Sequence, residues 1–159
     1  MDGMLCRLIR RGEEEETFSM IELGFNAFVR DDFSQEGVDE FHRAIRDMVF
    51  INHPLGHFIM VAESPDRIVG MIDVKEDCHI SIFFVEPSQM NQGIGRTLLE
   101  HAVTLCRERK ADLSEIEVHS SPWAVPVYGK LGFEATGPEQ ENCGIRYTRM
   151  VKKLESQSG

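Results

Sequence analysis

The sequence predicts a mixed α/β fold, in which a mostly antiparallel central sheet carries helices on both of its faces. Two patterns favour this class: strand-like runs follow one another in the first half of the chain, and strands alternate with helices in the second half. The expected order is a strand, two helices, three strands, a helix, a strand, a helix and two strands. A chain of 159 residues has the length of one domain, so we expect a single domain over residues 1–159.

The first fifty residues predict one strand and two helices. Residues 5–10 read as a strand, and the carboxylates of residues 13–16 favour the positive N-terminal end of a helix. Apolar residues then recur at helical spacing, at Phe18, Ile21, Phe25, Phe28 and Val29. Ser34 is a suitable N-cap for the second helix. The residues expected to face inward in that helix are Val38, Phe41, Ile45, Met48 and Val49.

The middle of the chain predicts three strands and a long helix. Residues 58–63 and 67–75 are strand-like runs joined by the turn-forming sequence Ser64-Pro65-Asp66. A third run, over residues 79–85, is followed by a loop over residues 86–92. The helix after this loop keeps one face apolar for four turns, through Ile94, Leu98, Leu99, Ala102, Val103 and Cys106.

The last third of the chain predicts three short strands and one helix. Residues 115–119 read as a strand and residues 123–131 as a helix. A strand at Phe133 and a closing strand around residues 147–151, within residues 146–154, complete the sheet. The strands of this half therefore alternate with helices, as the fold class requires.

Charge and hydropathy exclude several classes of protein. There are 17 Lys and Arg against 27 Asp and Glu, and the resulting net charge of −10 disfavours non-specific binding to nucleic acid. No apolar run approaches the roughly 18 residues of a membrane span. The amino terminus lacks the cationic stretch and apolar region of a signal peptide. We therefore expect a cytoplasmic protein with neither a nucleic-acid nor a membrane partner.

The cysteines and histidines suggest neither disulfides nor a metal site. In a cytosolic chain without a C-x-x-C pair, widely scattered cysteines are expected to be free thiols; they are Cys6, Cys78, Cys106 and Cys143. Two neighbouring histidines, His53 and His57, are separated by Pro54 and Gly56 and cannot share one helix face as metal ligands. No metal is expected.

A glycine-containing loop before the long helix is a candidate anion site. Gly93 and Gly95 would let the backbone approach a ligand closely, and the start of a helix presents unpaired N–H groups with partial positive charge. From these residues alone, an ordinary turn is an equal alternative. A Walker loop is excluded because no Lys-Ser/Thr follows. The dinucleotide fingerprint is excluded because Leu98 occupies its last glycine position.

The wider sequence around this loop resembles the GNAT superfamily, the Gcn5-related N-acetyltransferases. Residues 83–87 and 92–99 are similar to its motif A, a strand, a loop and the start of a helix. Residues 124–133, Ala-Val-Pro-Val-Tyr-Gly-Lys-Leu-Gly-Phe, look like its motif B. The resemblance spans essentially the whole chain. Departures from the motifs occur at Phe83, Met90, Ser121 and Val127.

This resemblance implies an enzyme that moves an acetyl group from acetyl-CoA to a primary amine of a small molecule or protein, by direct attack in a ternary complex. It also implies that coenzyme A binds along the strand of residues 79–85 and the glycine loop, and that homodimers are common. Arg96 or Lys130 could supply the cation near the 3′-phosphate, and a solvated charge on a helix face is the alternative for both. The cofactor-binding residues implied are Phe83, Val85, Asn91, Gln92, Gly93, Ile94, Gly95, Arg96, Thr97, Ser121 and Lys130. The alternative is a non-catalytic acyl-CoA sensor or interaction module of the same fold.

The reaction needs a base, an oxyanion donor and an acid. An amine with a pKa near 10.4 costs about 4.6 kcal/mol to deprotonate at pH 7. By resemblance, Tyr128 is the acid for the departing thiolate, and the backbone N–H of Val85 faces the thioester carbonyl. The base position of the histone-modifying branch falls on His79, whose ordinary pKa suits proton acceptance. Glu117, His119 and a chain of water molecules are the alternatives.

The acceptor is not identified by the sequence. Its site would lie mainly in the two N-terminal helices and their connection to Phe58. Acidic residues there could attract a cationic amine, although a solvated acidic helix face is the simpler explanation. They are Asp31, Asp32, Glu36, Asp39 and Glu40.

Overall fold

The computed structural model describes residues 4–47, 49 and 56–156. The predictions made for the first three residues, for Met48 and for His53 lie outside the described residues. The helices are α1 (Glu14–Phe28), α2 (Gln35–Asp47), α3 (Ile94–Arg109) and α4 (Val125–Lys130). The strands are β1 (Leu5–Leu8), β2 (Phe58–Glu63), β3 (Ile68–Val74), β4 (His79–Val85), β5 (Glu115–Ser120), β6 (Glu134–Ala135), β7 (Gln140–Asn142) and β8 (Ile145–Lys153).

All the strands belong to one mixed sheet of order β1-β2-β3-β4-β5-β8-β6, with β7 paired to β8. Every described pairing is antiparallel except that of β4 with β5, which is parallel. The parallel pairing is confined to two positions, His79 with Glu117 and Ile80 with Val118. Beyond them β4 and β5 diverge and open a gap in the middle of the sheet. The predicted fold class is therefore confirmed.

Helices cover both faces of this sheet, as the apolar patterns predict. The inward face of α3 is buried and packs with the sheet and Tyr128 in one core. On the opposite face, Phe18 and Ile21 of α1 pack on Ile59, Met71 and Ile82 of the sheet. None of the helices in the described part of the chain combines the length and apolar character that a membrane span needs.

Several element boundaries differ from those expected. The sheet has one more strand than predicted, because β7 is a fully exposed polar segment without apolar alternation. Helix α4 begins at Val125 rather than Trp123, with Pro126 in its first turn, where the missing N–H costs nothing. Strand β1 ends at Leu8, although the Ile9 N–H still donates to Ile59 at 2.9 Å. All four cysteines lie in the described part of the chain as free thiols.

The start of α2 is held by a side-chain cap and by close packing. As predicted, the Ser34 hydroxyl accepts a hydrogen bond from the Gly37 N–H at 3.1 Å. Gly37 also packs against the backbone of Gly144, in the turn before β8. A Cβ at Gly37 would overlap the Gly144 carbonyl oxygen and stand 2.6 Å from its carbon. This contact joins the α1–α2 region to the β7–β8 hairpin.

We expect Gly37→Ala to lower the free energy of unfolding by about 1–3 kcal/mol, because two backbone segments must move apart. Gly129→Ala is the matched control, since a Cβ there meets nothing within 4 Å on α4. The control should be neutral or stabilising by up to about 1 kcal/mol through helix propensity. Urea denaturation of both variants measures the difference. Equal effects would contradict the close backbone contact.

Candidate active site

A cavity of about 660 Å³ lies where β4 and β5 diverge. Its floor is the sheet, and one side is formed by the loop before α3 together with α4. The other side is formed by the α1–α2 connection and the β7–β8 hairpin. Tyr128, His79 and Val85 all line it, so the predicted catalytic residues meet in one place.

The edge of β4 that faces this cavity pairs with β5 only at His79 and Ile80. The Glu86 N–H donates to Val69 on β3 at 2.8 Å. Because the backbone groups of a strand alternate between its two edges, the N–H groups of Phe83 and Val85 point the other way, into the gap. An elongated ligand with amide groups can pair with this edge as an added strand would. The pantetheine arm of coenzyme A fits that description.

A bulge in β4 precedes this edge. Asp73 of β3 pairs with Ile82, whereas the adjacent Val74 pairs with Ile80, so Ser81 is the extra residue. Its hydroxyl oxygen is buried without a hydrogen-bond partner among the described residues, and Ser81 lines the cavity. Sequence reasoning missed Ser81, because the bulge follows from strand register and has no local signal.

The loop before α3 presents a second set of backbone donors. Asn91 and Gly93 have positive φ angles of 64° and 82°, which turn the chain into the helix. The first backbone hydrogen bond of α3 is donated by the Thr97 N–H to the Gly93 carbonyl oxygen at 3.0 Å. The N–H groups of Ile94, Gly95 and Arg96 therefore precede the helical ladder and point out of the helix. This cradle suits a pyrophosphate group.

The predicted cofactor-binding residues divide into two groups in the structure. Those that line the cavity are Phe83, Val85, Asn91, Gly93, Ile94, Gly95, Arg96, Ser121 and Lys130. Gln92 and Thr97 lie outside its lining. The Thr97 hydroxyl instead donates to the Gly93 carbonyl at 2.9 Å. Gln92 is exposed to solvent.

Two of the lining side chains already have structural partners. The Arg96 guanidinium donates to the Lys130 carbonyl at 3.1 Å and so ties α3 to α4. The Ser121 hydroxyl accepts from the Ala124 N–H at 3.3 Å in the turn before α4. Both residues therefore shape the cavity wall, which Lys130 also lines.

Tyr128 is buried on the α3 side of the gap. Its ring lies 6.1 Å from that of Phe83 and meets that of Phe133 edge-on at 5.2 Å. Burial raises the pKa of the phenol well above its ordinary value of 10. The hydroxyl therefore holds its proton at neutral pH.

On the other side of the gap, His79 is held by Glu117. The His79 Nδ1 atom lies 2.7 Å from Glu117 Oε1, and Arg149 forms an ion pair with the same carboxylate. Burial opposes ionisation of Glu117, but the bond to His79 and the charge of Arg149 outweigh it, so its pKa lies below the ordinary value. An ionised carboxylate only accepts, so His79 donates from Nδ1. When the imidazole is neutral, its lone pair then lies on Nε2.

His119 completes this polar group. Its ring meets that of His79 edge-on at 4.7 Å and stacks on Tyr147 at 4.7 Å. Burial, followed by the charge of His79, lowers the pKa of His119. His79, Glu117 and His119 each bring one ligand atom within 4.8 Å of the others, as a metal site would. Arg149 and Lys75 bring positive charge close to these three residues, which disfavours a bound cation. That the protein binds no metal stays a prediction.

The acidic residues of the α1–α2 region do not line the cavity. Asp32 instead forms a 3.8 Å ion pair with Arg146, and Asp39 accepts from Gln35 at 2.8 Å. Glu40 is paired with Arg43 within α2. Asp31 and Glu36 are exposed. These positions favour the solvated helix face over an attractor for a cationic amine.

Comparison with known proteins agrees with this architecture. Residues 29–154 match the family model described as an acetyltransferase (GNAT) domain. The peptidyl-lysine N-acetyltransferase YjaB of Salmonella typhimurium is 28% identical over 141 residues, 87% of this chain and 92% of that protein. Nothing in these comparisons favours a non-catalytic module.

Solved structures show the same fold. A GCN5-related N-acetyltransferase from Rhodopseudomonas palustris superposes with a TM-score of 0.80 at 22% identity, over 97% of this chain and 98% of that one. The PaiA N-acetyltransferase from Thermoplasma acidophilum, in complex with coenzyme A, gives a TM-score of 0.75 at 16% identity, over 95% and 99%. The chain therefore belongs to the GNAT family, and it is an acetyl-CoA-dependent N-acetyltransferase.

Proposed function

We propose that this chain acetylates a primary amine by direct attack in a ternary complex, with His79 as the base and Tyr128 as the acid. Bound acetyl-CoA supplies an acetyl group activated as a thioester. His79 Nε2 takes the proton of the attacking amine, while Glu117 holds the imidazole by Nδ1 and stabilises its cation. The Tyr128 hydroxyl donates its proton to the departing sulfur.

One observation carries this proposal: the base and the acid lie on opposite faces of the gap. Ile116 and Val118 of β5 pack in the core on the α3 side. Glu117 and His119 alternate with them and so face the α1 side. Tyr128 belongs to the core on the α3 side. A carbonyl held between the two faces would receive the amine from one side and release its thiolate towards the other.

The same arrangement assigns roles to the backbone. The N–H groups of Phe83 and Val85 would hold the pantetheine and the thioester carbonyl, and the amides of residues 94–96 would hold the pyrophosphate. Val85 remains the predicted oxyanion donor. Lys130, which lines the cavity, is the better candidate for the 3′-phosphate, because Arg96 is engaged with a carbonyl.

The acceptor is a primary amine in this proposal. The relative from Salmonella typhimurium carries the name of a peptidyl-lysine enzyme. A lysine side chain and a small-molecule amine both carry a primary amino group, from which His79 would take a proton. The chemistry at the gap is the same for the two.

Calorimetric titration with acetyl-CoA tests the cofactor site. Asn91 and Gln92 are both exposed, but only Asn91 lines the cavity, so Asn91→Asp adds a carboxylate of nearly equal shape to the lining and Gln92→Glu adds one outside it. We expect Asn91→Asp to weaken binding about tenfold or more through repulsion of the phosphates, and Gln92→Glu to weaken it much less. Equal weakening would contradict the assigned path of the phosphates. Absence of binding by folded wild-type protein would contradict the cofactor site.

A further inference from the structure

We infer that the acceptor is a small primary amine with an apolar, aromatic body, such as an arylalkylamine, rather than a polyamine or a lysine side chain. This inference rests on the proposed function and narrows its substrate. It concerns the part of the cavity on the α1 side of the gap, called here the acceptor chamber. Its walls are the α1–α2 connection, α2 and the β7–β8 hairpin.

Aromatic rings dominate the acceptor chamber. Six of them line the cavity on this side: Phe28, Phe33, Phe41, Phe84, Trp123 and Tyr147. They come from α1, the α1–α2 connection, α2, β4, the turn before α4 and β8, so they surround the space. Trp123 stays 37% exposed, although an aromatic side chain gains by being covered. An apolar ligand would complete this burial.

The charge of the lining excludes a second cationic group on the ligand. Among the described residues that line the cavity there is neither Asp nor Glu, whereas Lys75 and Arg146 are present outside the wall assigned to the cofactor. Arg146 is neutralised by Glu139 at 3.0 Å and by Asp32 at 3.8 Å. An ammonium group of a polyamine would thus lose its hydration without meeting a carboxylate, which is unfavourable.

The rings are also poorly placed to bind a cation on their faces. Phe28 and Trp123 stack at 4.3 Å with an angle of 15°, and His119 stacks on Tyr147 at 4.7 Å with an angle of 23°. Each stack covers one face of each ring, and a cage for an ammonium group needs several open faces. A ligand ring can instead pack against their edges.

The breadth of this wall distinguishes an aromatic amine from a lysine side chain. Four of the six rings, Phe28, Phe33, Phe41 and Phe84, already pack against the buried core around Phe25. A lysine presents a narrow methylene stem, which would cover less of the ring surface still facing the cavity than a ligand ring would. A phenyl or indole group at two carbons from the nitrogen could fill the chamber while the nitrogen reaches His79. Burying such a ring is worth about tenfold or more in binding.

The first test measures binding without turnover. Trp123 is the only tryptophan of the chain, so intrinsic fluorescence reports directly on the acceptor chamber. With coenzyme A present, 2-phenylethylamine should change this fluorescence saturably, and 1,4-diaminobutane should not. A saturable response to the diamine at lower concentration would overturn the inference. The absence of any response to 2-phenylethylamine would overturn it too.

The second test compares turnover of 2-phenylethylamine, 1,4-diaminobutane and a lysyl peptide. We expect kcat/KM to be about tenfold or more higher for 2-phenylethylamine. Ala44→Glu adds a carboxylate at an exposed position of the lining. This variant should lower the ratio of kcat/KM for 2-phenylethylamine to kcat/KM for 1,4-diaminobutane. Ala27→Glu makes the same change at an exposed position of α1 outside the lining and should leave the ratio unchanged.

The outcomes separate this inference from the function on which it rests. A higher kcat/KM for the diamine or for the peptide overturns the aromatic acceptor and leaves the acetyltransferase mechanism intact. Equal responses of the two glutamate variants also count against the assigned chamber. If folded protein binds acetyl-CoA but acetylates none of the three amines, while 2-phenylethylamine still binds at Trp123, the mechanism is what fails.

Discussion

Tyr128→Phe is expected to lower kcat about a hundredfold or more, because the departing thiolate loses its proton donor. The substitution removes one oxygen from a ring whose packing against Phe83 and Phe133 is retained. The affinity for acetyl-CoA should therefore change little. Steady-state kinetics combined with calorimetric titration separate these two effects.

Tyr147→Phe is the matched control for this variant. Tyr147 is the only other tyrosine, it lines the same cavity, and its hydroxyl donates to Gln140 at 3.3 Å. We expect its kcat to stay within about threefold of wild type, since Tyr147 is assigned no proton. Equal losses in the two variants, or an unchanged kcat in Tyr128→Phe, would remove the assigned acid.

The raised pKa of Tyr128 also sets an expectation for pH dependence. Burial disfavours the phenolate, so the proton is held to higher pH than in an ordinary tyrosine. The acid is loaded below its raised pKa and would be lost only as the pH rises through that value. Wild-type kcat should therefore show no alkaline decline from this group between pH 7 and about 10. A decline that disappears in Tyr128→Phe would contradict the environment described.

His79→Ala is expected to lower kcat/KM at pH 7 about a hundredfold or more, because the amine then has no base. The defect should shrink as the pH rises. The neutral fraction of an amine with a pKa near 10.4 increases about tenfold per pH unit below that value. At higher pH more of the amine is therefore already deprotonated when it binds, and the variant needs no base for it. The measurement is the ratio of wild-type to variant kcat/KM from pH 7 to 9.5.

Two further variants control this experiment. His101→Ala removes an exposed histidine of α3 outside the cavity and should match wild type at every pH. Glu117→Gln keeps the shape of the residue that holds His79 and removes its charge, so a loss smaller than that of His79→Ala is expected. A defect in His79→Ala that is constant with pH would indicate a packing role instead of proton transfer.

The layout of the fold was largely predictable from local patterns. The apolar stripe of α3 and the Ser34 cap depend only on neighbouring residues, and both were confirmed. Strand β7 was missed because its stability comes from pairing with β8 rather than from its own polar residues. The start of α4 was placed two residues too early because Trp123 is apolar, although it packs on Phe28 outside the helix.

The residues of the candidate site that stand at positions of the two sequence motifs were predictable, and the contacts between the other site residues were not. Gly93, Gly95 and Tyr128 stand at motif positions, and the structure brings all three to one cavity. The partnership of His79 with Glu117 was not predictable, since both residues were only separate candidates for the base. It follows from the register of β4 against β5, in which these two residues pair.

The sequence by itself determined the fold class, the family and the cofactor, because periodicity and motif spacing are local properties of the chain. Only the tertiary structure decided which side chains share a face of the gap, which carboxylate holds His79, and that the acids of the α1–α2 region lie away from the cavity. Those relations join residues far apart in the chain. They depend on strand register and on the divergence of β4 from β5, which no local pattern encodes.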